Sequence, residues 1–285
     1  MKLRLISLFL SLIMFCTVTN AAAEDTNDWI STALMESTFK LYGNDSLGTA
    51  FFIGKPVKGL ANQAYYVLVT AAHVLQGISG ETATIALRKR LNDGGWQRAE
   101  YTFQIRKNKQ KLWVQHPTAD VAVMYLTLPP EIKPPLLPIE ILATDTILEK
   151  SDIHPGEQLL CLGYPLGDEA NPIGFPIFRS GRLASYPIIP LRQVGSILFD
   201  FQVFAGNSGG PVFIMDRMRM IKGTPKVGSW QFILGLVSQQ RLFKSKSETP
   251  FKKTEDVYPL GIAEVVASEF ILETINLLPE QPLVK

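Results

Sequence analysis

Five prolines fall within ten residues near the middle of the chain, at positions 129, 130, 134, 135 and 138. Proline has a fixed φ and no N–H to donate, so neither a regular helix nor a central β-strand is expected to run through this segment. We therefore predict an extended connector that separates two halves. Each half contains many short runs rich in β-branched and aromatic residues, which predicts an all-β fold of paired antiparallel barrels.

The boundaries of these parts follow from the same runs. We expect the first barrel at about residues 45–128, the connector at 129–150 and the second barrel at about 151–260. Apolar residues at helical spacing predict a short N-terminal helix over 28–41, with Asn27 or Asp28 as its cap, and a C-terminal helix over about 262–278. The sequence Asn-Asp-Gly-Gly at 92–95 predicts a hairpin turn between strands at 82–90 and 96–105.

The first residues have the composition of a secretory signal peptide. Lys2 and Arg4 precede an apolar run at 5–18, and three alanines at 21–23 provide a small-residue cleavage site. The apolar run is short for a transmembrane helix, although an uncleaved membrane anchor is the alternative. We predict that residues 1–23 are a signal peptide and that the protein is exported, either to the periplasm or out of the cell, without stable membrane insertion.

Removal of a signal peptide would change both the net charge and the number of cysteines. Removing Lys2 and Arg4 leaves equal numbers of basic and acidic residues, because no Asp or Glu precedes Glu24. A net charge near zero gives no electrostatic reason to bind nucleic acid. Only Cys161 then remains, so no internal disulfide is expected, and its apolar neighbours predict a buried structural thiol. One cysteine and three scattered histidines offer no ligand cluster, so we expect no metal and no other cofactor.

The hexapeptide Gly-Asn-Ser-Gly-Gly-Pro at 206–211 places one hydroxyl among three glycines. A serine hydroxyl is a poor nucleophile unless a base removes its proton. Glycine permits the tight turn from which backbone N–H groups can face the negative charge on a reacting carbonyl. We predict Ser208 as a nucleophile and an oxyanion hole at Gly206, Asn207 and Ser208, with the N–H groups of Gly206 and Ser208 as donors. The plain alternative is a glycine-rich turn between two strands.

His73 is the best candidate for the base, because it follows an apolar strand in the sequence Thr-Ala-Ala-His-Val at 70–74. His116 and His154 each precede a proline and are typical of loops. Asp120 opens an otherwise apolar strand, so its carboxylate should be partly buried and should need a partner. Each residue alone has an ordinary structural explanation. Together, His73, Asp120 and Ser208 provide a base, a carboxylate that orients it and a nucleophile.

These motifs resemble those of the trypsin-like serine peptidases, which have the chymotrypsin fold. The matching stretches are Gly-Thr-Ala-Phe-Phe-Ile at 48–53, Thr-Ala-Ala-His-Val at 70–74, Asp-Val-Ala-Val at 120–123 and the hexapeptide at 206–211. Asparagine before the serine and the lack of disulfides are similar to the bacterial branch that includes the HtrA/Deg proteases, although no PDZ domain is expected after residue 261. The resemblance implies two six-stranded antiparallel barrels and a serine endopeptidase that cleaves proteins or peptides through a Ser-His-Asp triad and an acyl-enzyme intermediate.

The resemblance also implies which residues bind the substrate. The floor of the specificity pocket falls near Gln202, and the substrate-binding strand includes Ser238, Gln239 and Gln240. Because Gln202 is not acidic, we expect no preference for Lys or Arg. Gln239-Gln240 stands where the family has Trp-Gly, and a side chain in place of that glycine would narrow the mouth of the pocket, so we expect cleavage after small or medium-sized apolar residues. Asn207 cannot form the ion pair by which a new N-terminus activates some relatives, so we expect activity without further propeptide cleavage. The alternative is a catalytically silent or regulated relative that binds proteins in the cleft between the barrels.

Overall fold

The structure is a computed structural model that describes residues 29–60, 63–249 and 252–281. The predicted signal peptide and the predicted cap residues Asn27 and Asp28 lie outside these ranges. None of the helices that are described is long and apolar enough to span a membrane.

Strands make up most of the regular structure in these ranges. In chain order they are β1 (Thr38–Tyr42), β2 (Leu47–Pro56), β3 (Ala64–Thr70), β4 (Thr82–Arg90), β5 (Trp96–Gln104), β6 (Arg106–Lys107), β7 (Gln110–Lys111), β8 (Val114–Gln115), β9 (Ala122–Tyr125), β10 (Leu137–Pro138), β11 (Gln158–Gly163), β12 (Ile177–Leu183), β13 (Ser196–Asp200), β14 (Pro211–Met220), β15 (Val227–Thr249) and β16 (Lys252–Ala267). The α-helices are α1 (Ile30–Ser37), α2 (Ala72–Gly77), α3 (Asp145–Ser151), α4 (Leu191–Val194) and α5 (Ser268–Asn276).

The second half of the chain forms a closed barrel with the strand order β11-β12-β13-β16-β15-β14. Neighbouring strands run antiparallel. Phe199, Phe213 and Leu236 are fully buried and belong to its hydrophobic core. This part of the structure confirms the prediction of a six-stranded antiparallel barrel.

The first half forms an eight-stranded sheet with the order β5-β4-β1-β2-β3-β9-β8, and β10 pairs with β2. The all-β, chymotrypsin-like fold is confirmed, but this sheet has more than the six strands that the resemblance implies. One reason is that Leu137 of the predicted connector is buried beside Ile53, so that β10 adds to β2 as a short parallel strand. The predicted hairpin is present, with Thr82 opposite Gln104 at one end of the β4–β5 ladder.

Both terminal helices are shorter than predicted. Helix α1 ends at Ser37 and the chain continues directly as β1, in which Phe39 and Leu41 are buried in alternation. Helix α5 begins at Ser268 and not near 262, because residues 262–267 pair with β13 and β15 inside the barrel. The prediction that 129–150 is only a connector is also too simple, since this segment contains β10 and most of α3.

Beyond the barrel, β15 and β16 continue as a two-stranded arm. Pairing runs from Leu242 opposite Pro259 to Thr249 opposite Lys252. The rings of Phe243 and Tyr258 pack across the arm, with their centroids 6.4 Å apart. The sequence does not predict this arm, because charged and polar residues interrupt every apolar run between 241 and 260.

Candidate active site

Two neighbouring strands bring His73 and Asp120 together. His73 lies in α2, just after β3, and Asp120 lies just before β9, which pairs with β3. His73 Nδ1 is 2.7 Å from Asp120 Oδ2, and the backbone N–H of His73 donates to Asp120 Oδ1 at 2.9 Å. Because a carboxylate only accepts hydrogen bonds, Nδ1 carries a proton and Nε2 is the nitrogen that can accept another.

Ser238 gives the same carboxylate a further donor. Its Oγ donates to Asp120 Oδ2 at 2.6 Å. Burial by itself would raise the pKa of Asp120, but the hydrogen bonds from His73 and Ser238 outweigh burial and hold the pKa below its ordinary value. Asp120 is therefore charged at neutral pH and can stabilise an imidazolium at His73.

The turn that contains Ser208 is fixed by both halves of the chain. Thr49 N donates to Ser208 O at 2.8 Å, and Gly209 N donates to Val237 O at 2.7 Å. Ser208 Oγ donates to Ser238 O at 2.9 Å. Since the hydroxyl of Ser238 also binds the carboxylate that holds His73, one connected set of hydrogen bonds joins all three residues predicted for the triad.

Two of the residues predicted for an oxyanion hole, Gly206 and Asn207, lie in a tight turn at 204–207. Asn207 N–H closes the turn by donating to Phe204 O at 3.1 Å. Gly206 is the third residue of the turn and has φ +95°, as a type II turn requires. Among the residues that the structure describes, the N–H groups of Gly206 and Ser208 have no acceptor, whereas that of Asn207 is used within the turn. Gly206 and Ser208 are thus the free donors.

The peptide between Ala205 and Gly206 sets the direction of the Gly206 N–H. Ala205 O accepts a hydrogen bond from Leu166 N at 2.6 Å. The C=O and N–H of a trans peptide point in opposite directions, so a carbonyl fixed on one side turns the N–H to the other. Such a preorganised donor is what stabilisation of an oxyanion needs.

Comparison with known proteins shows the family. The family model of the trypsin-like peptidase domain matches residues 48–221, which is more than half of the chain. The chain belongs to this family. Among solved structures, it is similar to an inactive serine-to-alanine mutant of Rv3671c from M. tuberculosis H37Rv, with a TM-score of 0.45, 18% identity, and 88% of this chain and 90% of that chain covered. It is also similar to the protease Anisep from Arthrobacter nicotinovorans, with a TM-score of 0.45, 14% identity, and 86% and 95% covered. A search of curated proteins found no match.

The residues predicted to bind the substrate of this trypsin-like peptidase lie in different surroundings. Gln202 is exposed, and Gln240 is half-buried in β15. The Gln239 side-chain amide donates to Glu264 at 2.8 Å. Ser238 is the one of the four that contacts the predicted triad, through both its carbonyl and its hydroxyl.

His116 supports the site, although the sequence indicates only a loop residue. It is buried, and its Nδ1 accepts the N–H groups of Ala119 at 2.9 Å and Thr118 at 3.2 Å. Because Nδ1 accepts, the proton lies on Nε2 and is donated to Glu273 of α5, 3.0 Å away. These contacts fix the turn that leads to Asp120. No sequence signal could have revealed them, since Glu273 is 157 residues away along the chain.

In the described part of this peptidase, no group of three or more His, Cys, Asp or Glu side chains could hold a metal ion. Cys161 is buried, and burial raises the pKa of its thiol to about 12. The thiol therefore stays protonated and unreactive. The prediction of a buried structural cysteine is confirmed.

Proposed function

We propose that this trypsin-like peptidase is an exported serine endopeptidase in which Ser208 is the nucleophile, His73 the base and Asp120 the residue that orients the base. The observation that supports this assignment best is the connected set of hydrogen bonds from Ser208 to the carbonyl of Ser238, from the hydroxyl of Ser238 to Asp120, and between Asp120 and His73. Its substrates are proteins or peptides.

In the first step, Ser208 Oγ attacks the carbonyl carbon of the scissile peptide bond, and its proton passes to Nε2 of His73. The C–N bond then breaks as the imidazolium protonates the leaving amine, which leaves an ester on Ser208. Water attacks this ester and gives its proton to His73, which returns the proton to Ser208 as the acid leaves. Asp120 stays charged throughout and stabilises each imidazolium.

The resting position of the Ser208 hydroxyl adds a step before the attack. The hydroxyl donates to the carbonyl of Ser238 and must turn to His73 Nε2. A backbone N–H of a bound peptide can take over as the donor to this carbonyl, so substrate binding would release the hydroxyl. The negative charge that then develops on the substrate oxygen is met by the N–H groups of Gly206 and Ser208.

Two further parts of the proposal come from the sequence. The charge, apolar run and alanines of residues 1–23 support removal of a signal peptide and export to the periplasm or beyond. Gln202 carries no charge that would select a basic residue, and Gln240 stands where the family has a glycine and would narrow the pocket mouth, which together support cleavage after small or medium-sized apolar residues. A peptide library in which cleavage follows Arg or Glu would contradict this preference.

Labelling with a fluorophosphonate tests the catalytic assignment, because this reagent reacts with an activated serine. The chain that starts at Glu24 should be labelled on Ser208, as read by mass spectrometry, and Ser208→Ala should not be labelled. Ser180→Ala, a change at an exposed serine of β12, is the matched control and should be labelled like the wild type. A folded wild type that stays unlabelled would contradict the proposal and favour a silent binding scaffold.

A further inference from the structure

Arg88 in β4 is a buried cation whose hydrogen bonds go to neutral oxygens. Only 3% of it is exposed. Nη1 donates to Gly174 O at 2.6 Å and to the Tyr164 hydroxyl at 3.2 Å. Nη2 donates to three backbone carbonyls at the end of α1, of which Thr38 O is nearest at 2.7 Å. Two phenylalanine rings lie 4.4 Å from the guanidinium carbon.

Burying a guanidinium is costly, and the hydrogen bonds of its two Nη atoms offset this cost, whereas Nε has no partner among the described residues. These contacts join three parts of the chain. They are β4, the end of α1 and the loop that follows β11. The first two belong to the first half and the loop to the second. This loop is the one that reaches the oxyanion hole.

Tyr164 connects the guanidinium to that loop. Its side chain is fully buried, and its hydroxyl accepts from Arg88 and donates to Gly174 O at 2.9 Å. Burial raises the pKa of Tyr164 to about 12, so the hydroxyl keeps the proton that it donates. Its backbone carbonyl faces the α-carbon of Gly206, because a Cβ built on Gly206 would lie 2.1 Å from it.

The turn after Tyr164 holds the peptide of the oxyanion hole. Gly167 N closes this turn by donating to Tyr164 O at 2.9 Å. Leu166, inside the turn, has φ +55°, a conformation that a leucine keeps only when its surroundings impose it. From this position its N–H donates to Ala205 O at 2.6 Å.

We propose that Arg88 and Tyr164 are positioning residues for the oxyanion hole. Arg88 holds Tyr164, Tyr164 fixes the turn at 164–167, and this turn keeps the Ala205 carbonyl on the side that leaves the Gly206 N–H facing the substrate. The inference rests on the proposed function for the role of the Gly206 N–H. It means that a cation of the first half controls a catalytic donor of the second half.

Tyr164→Phe tests this link, because it removes the hydroxyl and keeps the ring, whereas replacing Arg88 would leave several carbonyls unpaired. Tyr101→Phe is the matched control, since its hydroxyl donates to Thr127 O at 3.1 Å on the sheet of the first half. The rate of fluorophosphonate labelling is measured against pH. Tyr164→Phe should lower the labelling rate about 5- to 20-fold at every pH and leave the midpoint of the pH–rate profile unchanged. The reason is that the substitution displaces an oxyanion donor and not the base. Labelling at the wild-type rate, or a shifted midpoint with an unchanged plateau, would overturn the inference.

Amide hydrogen exchange distinguishes a failure of this inference from a failure of the proposed function. In a Ser208→Ala background, which has no nucleophile, adding Tyr164→Phe should speed exchange of the Leu166 N–H about tenfold. The Val237 N–H, which donates to Gly210 O at 2.9 Å, should be unaffected. Unchanged exchange at Leu166 would overturn the positioning role whether or not the serine reacts. Faster exchange together with an unlabelled wild type would support the positioning role and contradict only the catalytic function.

Discussion

Replacing Gly206 by alanine should remove one donor of the proposed oxyanion hole without changing the predicted triad. Gly206 has φ +95°, which alanine adopts only with strain. The new Cβ would lie 2.1 Å from Tyr164 O, whereas ordinary van der Waals contact begins near 3.4 Å. The turn or the carbonyl must therefore move by more than an ångström, and the Gly206 N–H moves with it.

Two magnitudes follow from this geometry. Backbone strain costs about 1–2 kcal/mol and loss of the hydrogen bond from Leu166 to Ala205 about 1 kcal/mol, so the free energy of unfolding should fall by about 2–3 kcal/mol. Loss of one oxyanion donor should slow attack by Ser208 about 10²- to 10³-fold. The effect on the rate is thus expected to exceed what a change in stability alone would cause.

The assay is the second-order rate of fluorophosphonate labelling, with urea unfolding of the same samples. Gly223→Ala is the matched control, because Gly223 has φ +76° and an added Cβ would meet no atom within 4 Å. It should lose about 1 kcal/mol of stability and keep its labelling rate. If folded Gly206→Ala were labelled within about threefold of the wild-type rate, the assignment of its N–H to the oxyanion hole would be refuted.

The remaining predictions concern four other residues. Asp120→Asn should slow labelling about 10⁴-fold, because an amide favours the wrong tautomer of the base. The lowered pKa of Asp120 stabilises the fold above the unfolded pKa of about 3.9, and this contribution is lost as the pH falls through the folded value, so acid unfolding of Asp120→Asn should depend less on pH. Ser238→Ala should raise the pKa of Asp120 and slow labelling about tenfold; an unchanged pH–rate profile would argue against this role. His116→Ala leaves two N–H groups unpaired and should cost about 2 kcal/mol in urea unfolding, so an unchanged midpoint would contradict the contacts described. Cys161 should resist thiol reagents until the protein unfolds, and rapid modification of the native protein would show that its burial is wrong.

The residues of the site that can be predicted from the sequence are those with a local signal. Ser208 lies among glycines, His73 ends an apolar run, and Asp120 is a carboxylate at the start of a buried strand. Each of these patterns has a chemical reason within a few residues. Arg88 has no such signal, because it is one of three consecutive basic residues at 88–90, and its partners lie 50 to 86 residues away along the chain. Only the folded chain shows what it contacts.

The predicted start of the C-terminal helix is wrong for a related reason. Ile262, Val265 and Val266 fit the apolar stripe of a helix, yet they also fit a strand that is buried on both faces. Pairing with β13 and β15 decides between the two, and that information lies far away in the sequence. The arm beyond the barrel depends on pairing even more. Its residues have no continuous apolar face, and the two strands are held by pairing with each other.

The contacts across the cleft explain why the two halves must dock correctly before the site can work. Ser238 of the second half holds Asp120 of the first, and Thr49 of the first half donates from its hydroxyl to Gly206 O at 2.7 Å. Arg88 makes the third such link, through Tyr164. The carboxylate and the proposed oxyanion hole are therefore each contacted by a residue from the opposite half. A substitution that loosens either contact should lower the catalytic rate before it unfolds either half, because both groups act only when held in fixed positions.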